Sequence, residues 1–229
     1  MAFFYKDPQP ERLVEIFADV QNKALPWGAY PPLTGLLAAV FKLHPEQIDQ
    51  LAPGVKDVKA AYALIAASRL SGQSAKSEAL RAEFANIGSD ERLNFEFANL
   101  PNRIEDLRIA TPTHLDILWG ASFAAGDGRY VVPIIEFFAN TANASEPVAI
   151  DIAKIAIEIM GGPKDTVKGL KEKYGEARAR QMVYAATALW AIQSNVRQHE
   201  YVRQTTAKYI EDHPGTPATK ALSALTRIK

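Results

Sequence analysis

Apolar residues recur every three or four positions along most of this chain, the spacing of one helix face after another. Leu13, Ile16, Phe17 and Val20 define a helix over 11–25. Pro26-Trp-Gly-Ala-Tyr-Pro-Pro32 reads as a rigid loop, and 33–43, apolar almost all round, as a buried helix. A short helix follows from Pro45 to Leu51, closed by Pro53-Gly54. Further helices are predicted over 56–71, 74–87, 89–100, 111–125 and 129–142, with a polar connection over 101–110. Thr111-Pro112 supplies a cap and a first-turn proline, and Pro133 fits only a first turn. Val148–Met160 carries five isoleucines, which favour a strand, but Asp151, Lys154 and Glu158 sit at helical spacing, and the segment is assigned as helix. Ser145-Glu-Pro147 starts it and Gly161-Gly162 stops it. A charged helix over 163–174 ends at Gly175. Residues 176–212 contain neither glycine nor proline and form one long helix or two broken near Ser194-Asn195. A last helix spans 218–227.

One pattern occurs twice. Leu64-x-x-Ala67-Ser68-x-x-x-Gly72, eleven residues, then Phe84-Ala85-Asn86 returns as Leu118-x-x-Ala121-Ser122-x-x-x-Gly126, eleven residues, then Phe138-Ala139-Asn140, at a constant offset of 54. Each copy reads as a helix ended by glycine, a turn and a returning helix. The expectation is an all-α fold of antiparallel helical hairpins, at 56–87 and 112–142, in a repeat-like, superhelical or bundle arrangement. No polar linker separates parts of the chain, so 1–229 is read as a single all-helical domain.

Composition agrees. Alanine, the strongest helix former, occurs 37 times in 229 residues. Twenty-six basic and 26 acidic residues cancel, which argues against a dedicated nucleic-acid or membrane-surface protein. The charge is uneven: 101–163 carries four basic and eight acidic residues, 164–229 twelve and six. The basic third is read first as solvated helix faces and second as a partner surface, a nucleic acid included. The apolar runs 24–41 and 181–196 are broken by proline or polar residues, so no membrane span is expected. Met1-Ala-Phe-Phe-Tyr does not resemble a signal peptide, and the expected location is cytoplasmic, or periplasmic or secreted if a signal was removed.

The absence of cysteine excludes disulfides, Cys-ligated zinc, iron–sulfur clusters and thiol nucleophiles. No Glu-x-x-His is present, and His199-Glu200 lacks a second histidine because position 203 is Arg. No phosphate-binding loop or Gly-x-Ser-x-Gly elbow occurs. No metal or other cofactor is expected, and no catalytic residue. His114, Asp116 and Trp119 are the one suspect cluster. Residues 114 and 116 point about 200° apart on a helix, whereas 116 and 119 share a face.

Pro32-Leu-Thr-Gly-Leu-Leu-Ala-Ala-Val-Phe41 with His44-Pro45, and Leu115-Asp-Ile-Leu-Trp-Gly-Ala-Ser-Phe-Ala-Ala-Gly-Asp127, resemble segments of uncharacterised bacterial all-α proteins. The resemblance implies a helical, TPR-like superhelical fold and no assigned activity. A true TPR repeats at 34 residues, so the 54-residue offset departs from it. The function expected is a protein-binding helical scaffold or adaptor. Its candidate contacts are Trp27 and Tyr30 in the proline loop and Arg129 and Tyr130 after the second turn. The alternative is an enzyme or small-molecule-binding protein with a pocket around His114, Asp116 and Trp119.

Overall fold

The computed structural model describes residues 2–91, 94, 97, 99–161 and 165–228. Among them it forms twelve α-helices, joined by 3₁₀ turns and irregular segments, and no strand. An isolated antiparallel bridge joins Ser71 and Arg103. The chain packs as two compact units, Met1–Gly126 and Asp127–Lys229.

The first unit contains α1 (Leu13–Asn22), α2 (Tyr30–Phe41), α3 (Gln47–Leu51), α4 (Val58–Leu70), α5 (Ser74–Glu83) and α6 (Pro112–Ala125). Its centre is α2, of whose twelve residues eleven are buried. A helix apolar on every side must be enclosed, and α2 packs against both α4 and α6. The contact with α6 is made by backbone. A Cβ on Gly35 would overlap the Ile117 carbonyl, and one on Gly120 would overlap the Pro32 carbonyl. The pairs 35 with 117 and 32 with 120 run in opposite senses along the chain, so the two helices cross antiparallel. Small residues at a crossing let helices approach more closely than side chains otherwise permit.

The segment 26–32 is not the rigid loop that its prolines suggest. Trp27–Ala29 forms a 3₁₀ turn that runs directly into α2, with Pro31 in the first helical turn. An amide N–H there has no intrahelical partner, so proline is tolerated. The connection 101–110 is not purely polar either. Ile104 and Leu107 are buried, and Glu105 pairs with Lys42. Thr111 precedes α6 as expected, but its side chain makes no capping hydrogen bond. Instead Asp57 caps α4, accepting the Ala60 N–H at 2.9 Å. Of the helix expected over 89–100, Glu91, Asn94 and Phe97 are helical, and residues 92, 93, 95, 96 and 98 lie outside the described residues.

The second unit contains α7 (Val132–Ala142), α8 (Glu146–Ile159), α9 (Thr166–Tyr174), α10 (Glu176–Asn195), α11 (Glu200–Asp212) and α12 (Pro217–Thr226). The isoleucine-rich segment is helical: Ser145 accepts the Val148 N–H at 3.4 Å, and Pro147 sits in the first turn. Residues 176–212 resolve into two helices broken between Asn195 and Glu200, where His199 is extended. Helix α10 is the hub, touching α7, α8, α9 and α12. Gly162, Pro163 and Lys164, in the expected stop and the start of the charged helix, lie outside the described residues.

The two copies of the doubled pattern share helix positions: α4 and α5 close on one another, α6 packs on α2 in the first unit, and α7 packs on α10 in the second. They also share burial: Leu64, Ala67 and Ser68, like Leu118, Ala121 and Ser122, are all enclosed.

Four glycine-to-alanine variants test this account by urea or thermal unfolding. Gly72 has φ +90° with only Asn102 O at 4.0 Å from a built Cβ, so Gly72→Ala should cost about 1 kcal/mol. Gly126, at φ +66°, also backs onto the Tyr5 side chain, and its variant should cost more. Gly35→Ala and Gly120→Ala force backbone apart and should exceed the ~1–3 kcal/mol of ordinary overpacking. Equal effects at Gly72 and Gly35 would contradict the crossing.

Candidate functional site

The four sequence candidates separate by burial. Tyr30 is fully enclosed (0% exposed), and Tyr130 nearly so (3%). Both are core side chains rather than contact residues, because each lies at the start of, or just before, a helix that turns it inward. The Tyr30 hydroxyl donates to Asp57 at 3.3 Å, and burial followed by that carboxylate pushes its phenol up to about 12. Trp27 is half-buried: one face stacks on Tyr30 at 6.0 Å between centroids, and Phe97 meets it edge-on at 5.6 Å. Arg129 is exposed, and its guanidinium is held by Asp127 at 2.9 Å. Trp27 lies in the first unit and Arg129 in the second, so the four do not make one site within either unit.

The suspected cluster on α6 also divides. His114 Nδ1 lies 2.9 Å from the Arg108 carbonyl and 3.1 Å from the Ala110 amide, so this ring ties down its own connecting segment. Asp116 and Trp119 remain together on one helix face by their i, i+3 spacing. Burial pushes the Asp116 carboxyl up to about 6. Trp119 is buried, stacks on Phe123 at 5.9 Å, and its Nε1 has no hydrogen-bond partner among the described residues. No hydrogen bond joins the Asp116 carboxyl to the Trp119 indole N–H.

A different surface stands out in the second unit. The inner side of α8, with Val148, Ile152, Ile155 and Ala156, is buried. Its outer side is also apolar: Ile150 is 49% exposed and Ile157 45%, with Ala153 between them and Met160 beyond. The spacing 150, 153, 157, 160 is that of a continuous helical stripe. Beside it, α12 contributes Ala221 and Ala224 to a shallow hollow of about 290 Å³ floored by Ala149 and Ala153. On the other flank Ile155, Ile159, Val167 and Lys168 line a second hollow of about 420 Å³.

Polar side chains fix the frame of this surface. Glu158 Oε1 accepts the Thr166 N–H at 2.7 Å, and the Thr166 side chain, with the backbone amides at the start of α9, outweighs burial and holds its carboxylate below the usual range. Burial pushes the Asp151 carboxyl up, but hydrogen bonds from Lys173 at 2.7 Å and Tyr174 at 2.9 Å, with the Lys154 charge, outweigh it and lower it. Both acids bind α9 to α8. The isoleucine run is visible in the sequence, but nothing local marks which of its members face outward. The signal is apolar residues on both faces of one helix, more than a single buried face requires.

Several basic residues of the last third are paired with acids. Lys171 and Arg180 pair with Glu176 at 3.2 and 3.4 Å, Lys208 with Asp212 at 3.1 Å, and Lys220 with Glu146 at 3.1 Å. Among the described residues, no group of three or more His, Asp or Glu side chains is placed to hold a metal ion, and no helix is long and apolar enough to cross a membrane.

Asp116 gives a pH signature. Its carboxyl rises from an ordinary 3.8 to about 6 on folding, so the native state binds more protons than the unfolded chain between these values. Stability present below pH 4 is therefore lost as pH rises through 6. Asp116→Asn should stabilise the fold at pH 7.5 by on the order of 2 kcal/mol, since each tenfold change in proton affinity is worth ~1.4 kcal/mol, and leave it unchanged at pH 4. Parallel melting-temperature profiles of the two proteins across pH 4–8 would refute the assignment.

Comparison of the chain with family models, curated proteins and solved structures finds no match in any of the three.

Proposed function

We propose that this protein is a protein-binding helical scaffold and that its main contact is the outer side of α8. One observation carries the reading: Ile150 and Ile157 remain about half exposed on a helix whose other side already supplies the core of its unit. Apolar area in water is unfavourable by roughly 25 cal/mol per Å², and a contiguous apolar strip with polar edges is a recurrent mark of an interaction site. The alanine-floored hollow between α8 and α12 accepts a protruding aliphatic side chain, the recess in which interface hot spots sit. Trp27 and Arg129 are the sequence candidates with surface to offer, and they are proposed as secondary contacts.

A second reading, small-molecule binding at Asp116 and Trp119, is favoured by an unpartnered indole N–H and a desolvated carboxyl at i, i+3 spacing on one helix. It predicts a ligand whose affinity falls as Asp116 ionises.

Protein binding is tested by isolating partners with the wild-type chain and comparing four variants, each checked for helical circular dichroism. Ile157→Asp and Ile150→Asp should weaken binding by about 30-fold or more, equivalent to the ~2 kcal/mol of a hot spot. Trp27→Ala and Arg129→Ala should weaken it less. Binding unaffected by either isoleucine change would remove α8 as the contact.

A further inference from the structure

We propose that α9 is a releasable strap, which lifts from α8 and α10 as one unit by local unfolding and so widens the apolar outer side of α8. This helix is nine residues long and buries one side chain, Leu170. Isolated helices shorter than about 12–15 residues are marginal in water, and Gly169 weakens this one further. No atom lies within 4 Å of a Cβ built on Gly169, so packing does not require a glycine there. The helix therefore depends on its attachment, and the packing part of that attachment is loose. The hollow of about 420 Å³ is lined by Ile155 and Ile159 from α8 and by Val167 and Lys168 from α9. Val167 is left 44% exposed.

Two buried carboxylates of α8 hold the strap. Glu158 accepts the Thr166 N–H at 2.7 Å, and Asp151 accepts from Lys173 at 2.7 Å and Tyr174 at 2.9 Å. Both acids are 8% exposed. They stand seven residues apart on α8, and Thr166 and Lys173 stand seven apart on α9. Pairing 158 with 166 and 151 with 173 makes the two helices antiparallel, with a polar latch at each end and Leu170 between them. Water replaces such bonds when the strap lifts, and the carboxylates regain their hydration. A polar latch of this kind opens more easily than an apolar one of equal extent.

The chain bends at glycine on either side of the strap. Gly161 has φ +106° and Gly175 φ +77°, the region that favours glycine, and neither has an atom within 4 Å of a built Cβ. Helices α8 and α10 touch one another directly and stay paired without α9. Few buried apolar contacts beside a well-packed pair of helices is the pattern of a segment that opens on its own. Opening exposes the flank where Ile155 and Ile159 stand, next to Ile150 and Ile157. On the protein-binding reading of α8, on which this last consequence rests, the docked strap narrows the contact and the released strap widens it.

Native-state hydrogen exchange of the full chain, read by mass spectrometry, tests the strap without any partner. Amides of 170–175 should exchange about a hundredfold or more faster than those of 185–192 in α10. Glu158→Met removes the latch at one end, and Lys173→Met with Tyr174→Phe removes it at the other. Each should speed exchange of 170–175 by about tenfold and leave 185–192 unchanged. Gly169→Ala should slow it by about fivefold, the effect of that exchange in a helix interior. Fluorescence of 8-anilino-1-naphthalenesulfonate should rise in the latch variants and fall in Gly169→Ala. Amides of α9 as protected as those of α10 overturn the proposal. So does a Glu158→Met effect that fails to reach residues 173–175, since the helix would then fray rather than lift. Faster exchange with no added dye fluorescence overturns the uncovering of apolar surface. A strap that opens as described in a chain with no Ile157-dependent partner removes α8 as the contact and keeps the strap. A protected α9 with Ile157-dependent binding does the reverse.

Discussion

The first unit depends on a contact without side chains. Where α2 crosses α6, Gly35 lies on the Ile117 carbonyl and Gly120 on that of Pro32, leaving no space for a Cβ at either position. Glycine in a helix interior costs about 1 kcal/mol relative to alanine. Two such residues persist because the crossing returns more, through close packing along most of both helices. Enclosing α2 on this side leaves α4 to cover another, and the core of the unit follows from those two contacts. Ser68, whose hydroxyl bonds back to the Leu64 carbonyl at 2.9 Å, works in the same way, a small polar residue made self-sufficient so that helices can close around it.

The fold class was legible in the sequence because helix periodicity and alanine content are local properties. The helix over 146–159 shows how local signals combine: a serine cap, a first-turn proline and charges at helical spacing outweighed five β-branched residues. The doubled pattern was legible in the sequence as paired helices. It marks helices whose Leu, Ala and Ser must all be buried, and burial does not specify which neighbour does the burying. The segments 32–41 and 115–127 contain the two glycines of the α2–α6 crossing. The glycines stood in the sequence, but their partnership spans some 80 residues and no local rule connects them.

Site residues were less legible, for a physical reason. Aromatic residues in proline- and glycine-rich stretches signal surface only when the stretch is a loop. The residues around Tyr30 and Tyr130 instead coil into 3₁₀ turns that enter helices, and both rings go inward. The outer isoleucines of α8 were hidden by the opposite effect. In a helix apolar on two sides the sequence does not say which side the rest of the chain covers. The packing of α7, α9, α10 and α12 around α8 decides that Ile152 and Ile155 are core and that Ile150 and Ile157 face solvent.

The central position of α2 has a consequence in time. Its enclosing helix α6 ends 84 residues later in the chain (125 − 41). At the ~5–20 residues per second of protein synthesis, a helix with no polar face waits on the order of ten seconds for that partner. Helices α4 and α5 are made in the interval and can cover one side. The side that bears Gly35 stays open until Gly120 emerges. The nascent chain therefore passes through a stage in which its most apolar helix is half covered, and in which chaperone binding or premature aggregation competes with the fold.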